Sequence, residues 1–185
     1  AMKVQVIYSS LSGCTRRVAE GIYSALQAQD KSLHDLAQGD PALDGDIVLI
    51  GYWVDQGGPN TQMKAFMEKV EGKKVGVFCT LAYWADSSHA YQSLANGAAL
   101  VKEKNVLLGG YVCNGTISQA MIDRFRSMGS TGPHSASPEN EVRWELMKDH
   151  PTPCEIALAA ERFNERLALL ERMTKQGLAY PAINL

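Results

Sequence analysis

The chain has 185 residues, 45% of them hydrophobic and 21% charged, with a formal net charge of -2. That content is enough for one sizeable core, so a single domain over 1–185 is expected, and the near-neutral balance argues against nucleic acid or an anionic membrane as the main partner. No apolar run approaches the roughly 20 residues of a membrane helix, and neither the four histidines nor Cys14, Cys79, Cys113 and Cys154 show metal-ligand spacing. These features predict a cytoplasmic protein with reduced thiols and no metal. Ala1 ahead of Met2 reads as an expression remnant, with no signal-peptide pattern after it.

Strand and helix signals alternate along the chain. Val4-Gln5-Val6-Ile7-Tyr8 reads as a buried strand, and residues 16–29 repeat apolar side chains at helical spacing (Val18, Ala19, Ile22, Ala25, Leu26). Residues 31–36 read as a short edge strand. After the Gly39-Asp40-Pro41 turn, residues 46–51 form a continuous apolar run typical of a strand buried on both faces. A helix is predicted over 61–70, a strand over 73–79, a helix over 89–102, a strand over 105–113 and a helix over 117–128. Residues 129–153 hold four of the seven prolines with Gly, Ser and Asn, predicting an excursion over the surface with a helical turn at 139–148. Ile156, Ala160, Phe163, Leu167 and Leu170 mark an amphipathic C-terminal helix over 154–176 that packs on the sheet.

Five such β-α units predict an α/β fold: a three-layer, doubly wound, five-stranded parallel sheet of order 2-1-3-4-5. Ligands of such sheets bind beyond the C-terminal ends of strands 1 and 3, where the chain direction switches.

The turn after the first strand is Ser9-Ser10-Leu11-Ser12-Gly13-Cys14-Thr15. Unpaired N–H groups at a helix start, with clustered hydroxyls, make a ready phosphate site. The alternative is an ordinary helix cap with spare serines, although a cap needs only one hydroxyl. There is no G-x-x-x-x-G-K-[ST], no G-x-G-x-x-G and no Cys-x5-Arg, and the first strand does not end in paired acids. A ligand carrying one phosphomonoester, held without lysine or metal, remains.

The other switch-point loops are Gly51-Tyr52-Trp53-Val54-Asp55-Gln56-Gly57-Gly58-Pro59-Asn60 and Thr80-Leu81-Ala82-Tyr83-Trp84-Ala85-Asp86-Ser87-Ser88. Each carries a Tyr-Trp pair where a solvated loop is polar. A flat ring system wants aromatic faces and backbone amides of this kind. The alternative is that these aromatics cap the sheet core or form a protein interface.

Ser10-x-Ser12-Gly13-x-Thr15 resembles the FMN-phosphate loop of flavodoxins, [ST]-x-[ST]-G-x-[ST], and Asp86-Ser87-Ser88 resembles the Asp-Ser-Ser of their second flavin loop. The resemblance covers about residues 3–128. It implies FMN as cofactor, with Ser10, Leu11, Ser12, Gly13, Cys14 and Thr15 at the phosphate and Cys14 contributing its backbone N–H where Asn is common. It further implies Trp53, Tyr83 and Trp84 as stacking residues, with Tyr52, Val54, Asp55, Thr80, Leu81, Ala82 and Asp86 at the ring. The segment Gly51-Tyr52-Trp53-Val54-Asp55-Gln56-Gly57 is similar to a Gly-Phe-Trp-x-Asp-x-Gly segment of a small subgroup that includes accessory proteins of bilirubin reductase.

The resemblance implies an FMN-binding protein that transfers electrons to or within a reductase system through a redox partner protein, with the cofactor carrying the chemistry. Gly57-Gly58 would let a peptide reorient against the flavin, or would simply form a tight turn. Asp55 would disfavour extra negative charge on the ring, or merely orient its loop. Two alternatives stand beside this reading. One is an NAD(P)H-dependent quinone or azo reductase, often homodimeric; the other is a flavin-free accessory protein acting through its surface. The charge of -2 departs from the marked acidity of electron-transfer flavodoxins and puts their usual partners in doubt.

Overall fold

The computed structural model describes residues 2–129, 132 and 134–185. In chain order the elements are β1 (Lys3–Tyr8), α1 (Cys14–Ala25), β2 (Asp30–Asp35), β3 (Ile47–Asp55), β4 (Gly58–Pro59), α2 (Thr61–Met67), β5 (Lys74–Leu81), α3 (Ser88–Ala99), β6 (Val106–Asn114), α4 (Gln119–Ser127), α5 (Pro138–Met147) and α6 (Pro153–Lys175). Five strands pair in parallel in the order β2-β1-β3-β5-β6, the topology expected of the five apolar runs. The sixth, β4, is a two-residue arm antiparallel to the end of β3. No local pattern announces it.

Both faces of the sheet are covered, which is why its strands are apolar at successive positions and not only at alternate ones. On one face Val18 and Ile22 of α1 and Ala159 and Phe163 of α6 pack on Val4, Val6, Leu49 and Leu108. On the other, Met63, Phe66 and Met67 of α2 and Leu94 and Ala98 of α3 pack on Ile7, Val48, Ile50, Val75 and Val77. Phe163 is fully buried and meets Phe78 edge-on at a centroid distance of 5.9 Å. It sits so close to the sheet that a Cβ on Gly76 would lie 2.7 Å from its ring. Truncating such a ring to Ala costs about 3–5 kcal/mol.

The 23-residue α6 starts at a capping box in which the Thr152 hydroxyl accepts from the Glu155 N–H while the Glu155 carboxylate accepts from the Thr152 N–H. α1 and α6 pack closely enough that a Cβ on Gly21 would overlap Ile156. Among the described residues no helix is long and apolar enough to cross a membrane.

The segment 129–153 departs from the expected surface excursion. Residues 130, 131 and 133 lie outside those described. The rest carries α5, a ten-residue helix and not a single turn, started by a Ser137 cap and Pro138. Its Trp144 and Met147 are buried, with only 4% and 1% of their surface exposed. The Arg17 guanidinium donates to the Pro151 carbonyl at 2.8 Å, tying the return of this segment to α1.

Candidate functional site

β1 ends at Tyr8, and the chain turns through 9–13 into α1. Ser10 Oγ accepts from the N–H groups of Gly13 (3.1 Å) and Arg16 (3.3 Å), so this one hydroxyl caps the turn. Gly13 stands at φ +95°, in the left-handed region. Nothing lies within 4 Å of where its Cβ would be, so the space above the turn is open. The first turn of α1 carries no acidic residue that would repel an anion.

The Thr15 hydroxyl does not face that space: it is buried against Thr80 Oγ1 at 2.9 Å, leaving its N–H as what it offers the turn. The Cys14 thiol lines the space but is taken up by protein, accepting from Ser12 Oγ at 3.6 Å and from the Thr116 N–H at 3.3 Å.

At the end of β3 the expected loop is a continuation of the strand. Tyr52 and Trp53 pair with Cys79 and Thr80 of β5, and the chain then reverses through Gln56 and Gly57 into β4. Both turn residues have positive φ (51° and 81°), the signature of a two-residue type I′ hairpin. Of the double glycine, Gly57 completes this turn and Gly58 opens β4, and Asn96 Nδ2 holds the turn by donating to the Gly57 carbonyl at 2.7 Å. Tyr52 turns into the core, where its hydroxyl donates to the Ser93 carbonyl at 2.7 Å, and burial raises its phenol well above the usual value. Only Trp53 of that Tyr-Trp pair faces the site. Asn60 secures the hairpin to the first turn by donating from Nδ2 to Ser9 Oγ at 2.8 Å.

After β5, Ala82 and Tyr83 line the site, with Tyr83 edge-on to His89 at 5.8 Å. Trp84 and Asp86 lie outside it. Trp84 faces a separate shallow depression with Pro138, Glu139 and Val142, and Asp86 is exposed. Ser87 accepts from the Ala90 N–H as the α3 cap and also lines the site. Asn114 at the end of β6 positions this loop by accepting from the Ala85 N–H at 2.7 Å.

These strand ends surround one cavity of about 1040 Å³. Leu11, Ser12 and Cys14 form one wall, Trp53, Val54 and Asp55 a second, and Thr80 to Tyr83 a third. Among the described residues no cluster of three or more His, Cys, Asp or Glu is placed to hold a metal ion. The volume stands at the top of the range of about 300–1,000 Å³ found for small-molecule sites.

The family model described as Flavodoxin domain matches residues 5–164. The chain belongs to the flavodoxin-domain family. It is similar to the flavodoxin-like domain-containing protein BilS of Clostridioides difficile (strain CD3), with 30% identity over 165 residues, 84% of this chain and 90% of that protein. BilS of Clostridium symbiosum (strain WAL-14163) is 24% identical over 174 residues, 84% of this chain and 91% of that protein. Among solved structures, a WrbA-like flavodoxin from Agrobacterium tumefaciens matches at TM-score 0.55 and 20% identity, covering 94% of this chain and 99% of its own. A Fusobacterium nucleatum flavodoxin bound to flavin mononucleotide matches at TM-score 0.54 and 12% identity, covering 93% and 98%.

This flavodoxin domain also builds its site from residues that no motif marks. Gly115 packs on Cys14, where a Cβ would meet Sγ at 3.3 Å, so the chain after β6 forms a fourth wall with Thr116 and Ser118. α4 and α5 complete it with Phe125, Arg143 and Trp144. The Arg143 guanidinium lies 5.0 Å from the Tyr83 ring centroid, and burial lowers its pKa from the ordinary guanidinium value. The one signal available for this wall was compositional: aromatic and cationic residues in a segment otherwise rich in Gly, Ser and Pro.

Proposed function

We propose that this flavodoxin domain binds FMN and passes its electrons within a reductase system in the cytoplasm, the whole chain working as one domain with a redox partner protein. The observation that carries the reading is that the hydroxyl-bearing turn after β1, Trp53 on β3 and Tyr83 after β5 converge on one cavity. The open space over Gly13 and the absence of acid in the first turn of α1 fit a phosphate.

In this reading the N–H groups of residues 12–15 and the Ser10 and Ser12 hydroxyls hold the phosphate. Trp53 and Tyr83 offer faces to the ring, and backbone groups of Tyr52 to Asp55 and Thr80 to Ala82 meet its polar edge. FMN, when bound, supplies the one- and two-electron chemistry. The chain's own part is to orient the ring, to exclude water with Leu11, Val54 and Leu81, and to set the potential. Asp55 beside the ring disfavours added negative charge there and lowers the reduction potential. The FMN-bound flavodoxin among the structural neighbours supports the cofactor. The two BilS relatives and the Gly51–Gly57 segment support a reductase-type partner.

The test is titration of the purified protein with FMN, followed by absorbance and flavin fluorescence. Near-stoichiometric binding with quenched emission is expected. Unaltered emission at micromolar protein would overturn the reading and leave a role exerted through the surface.

A further inference from the structure

We propose that α4, His134 and α5 form a second compartment of the cavity that takes a planar aromatic anion, beside the ligand of the β1–α1 turn. This goes beyond the flavin reading and does not depend on it.

The first observation is the orientation of α4. It contains no buried residue, yet its Met121 and Phe125, with Met128 at its C-cap on the same face, line the cavity. That face is turned to open space and not to a core. The second is an aromatic column. The rings of His134 and Phe125 stack at 5.5 Å and 16°, and those of Phe125 and Trp144 at 5.9 Å and 26°. A flat conjugated ligand extends such a column by offset stacking.

The third observation is charge. Arg124 and Arg143 both line the cavity, and neither forms a salt bridge among the described residues. Arg126, two positions after Arg124, is instead bound by Glu141 through two hydrogen bonds of 2.8 and 2.7 Å, an ion pair that holds α4 to α5. Arg143 donates to Asn140 Oδ1 at 2.7 Å, while its buried Nε has no partner. Trp144 is 4% exposed and its indole N–H is likewise without an acceptor. The single carboxylate among the described lining residues is Asp55, on the β3 wall. A carboxylate or sulfonate on a planar ring system matches this set of unsatisfied donors and uncompensated cations.

The experiment is calorimetric titration of anthraquinone-2-sulfonate into the full chain, with and without saturating FMN. One probe molecule is expected to bind in both forms. Arg143→Gln and Arg124→Gln should each weaken it by about ten-fold or more, as loss of a charge-assisted contact does, with FMN affinity unchanged in Arg124→Gln. Arg124 is exposed, so that variant folds even if Arg143→Gln does not. Probe binding that FMN abolishes would show the compartment to be the flavin's own and overturn the proposal. Probe affinity left at the value of the unaltered chain in both arginine variants would overturn it too, as would a dimer that covers α4 and blocks the probe. Retained probe binding in a protein that takes no FMN would uphold the compartment while removing the flavin reading.

Discussion

The hydroxyls of Thr15 and Thr80 meet at 2.9 Å with the two residues 0% and 3% exposed, joining the first turn of α1 to the end of β5. The two sides of the site are therefore held in register by a bond that needs both partners. Thr15→Val or Thr80→Val leaves one buried hydroxyl unsatisfied and should cost about 1–3 kcal/mol. The double variant should recover most of that loss, because two methyl groups replace two hydroxyls at the same contact. Urea unfolding of the four proteins checks this.

Trp53 lines the cavity and Trp84 does not. Trp53→Ala should weaken FMN by about ten-fold or more through lost stacking and burial. Trp84→Ala should change it by less than about two-fold. Equal effects in a fluorescence titration would show that the ring lies elsewhere.

The type I′ turn places Gln56 and Gly57 at φ 51° and 81°. Gly57→Val should destabilise the protein by about 1–2 kcal/mol, and Gln56→Gly should relieve strain of similar origin. Chemical denaturation reads both signs.

Of the four thiols, Cys154 is exposed and the others are buried. Ellman's reagent should modify one thiol rapidly at pH 8 in the folded protein, a phase absent in Cys154→Ser, and all four in guanidinium.

Burial pushes the Cys79 thiol from the usual 9.0 to about 12. The folded state then keeps a proton that the unfolded chain releases, so this group's contribution is full below pH 9 and falls as pH rises from 9 toward 12. Guanidinium midpoints should drop across that window, and less steeply in Cys79→Ala.

What the sequence by itself determined is local and periodic. Continuous apolar runs such as Ile47–Ile50 and Val75–Cys79 mark strands covered on both faces, and the spacing of Ile156, Ala160, Phe163 and Leu167 marks α6. The order of the five parallel strands follows from β-α alternation, and Ser10 to Thr15 stand together because the turn is contiguous. What only the tertiary structure decided involves partners far apart in the chain. Tyr52 lies in the core because the absence of a side chain at Gly97, 45 positions later, makes room for its ring. Thr15 turns from the site because Thr80 faces it. A tyrosine or threonine at the end of a strand reads alike in either setting, and packing chooses between them. The β3–β4 hairpin, the wall after β6 and the buried face of α5 emerge in the same way. Each depends on contacts across the switch point, where no residue's own pattern states which neighbour it will meet.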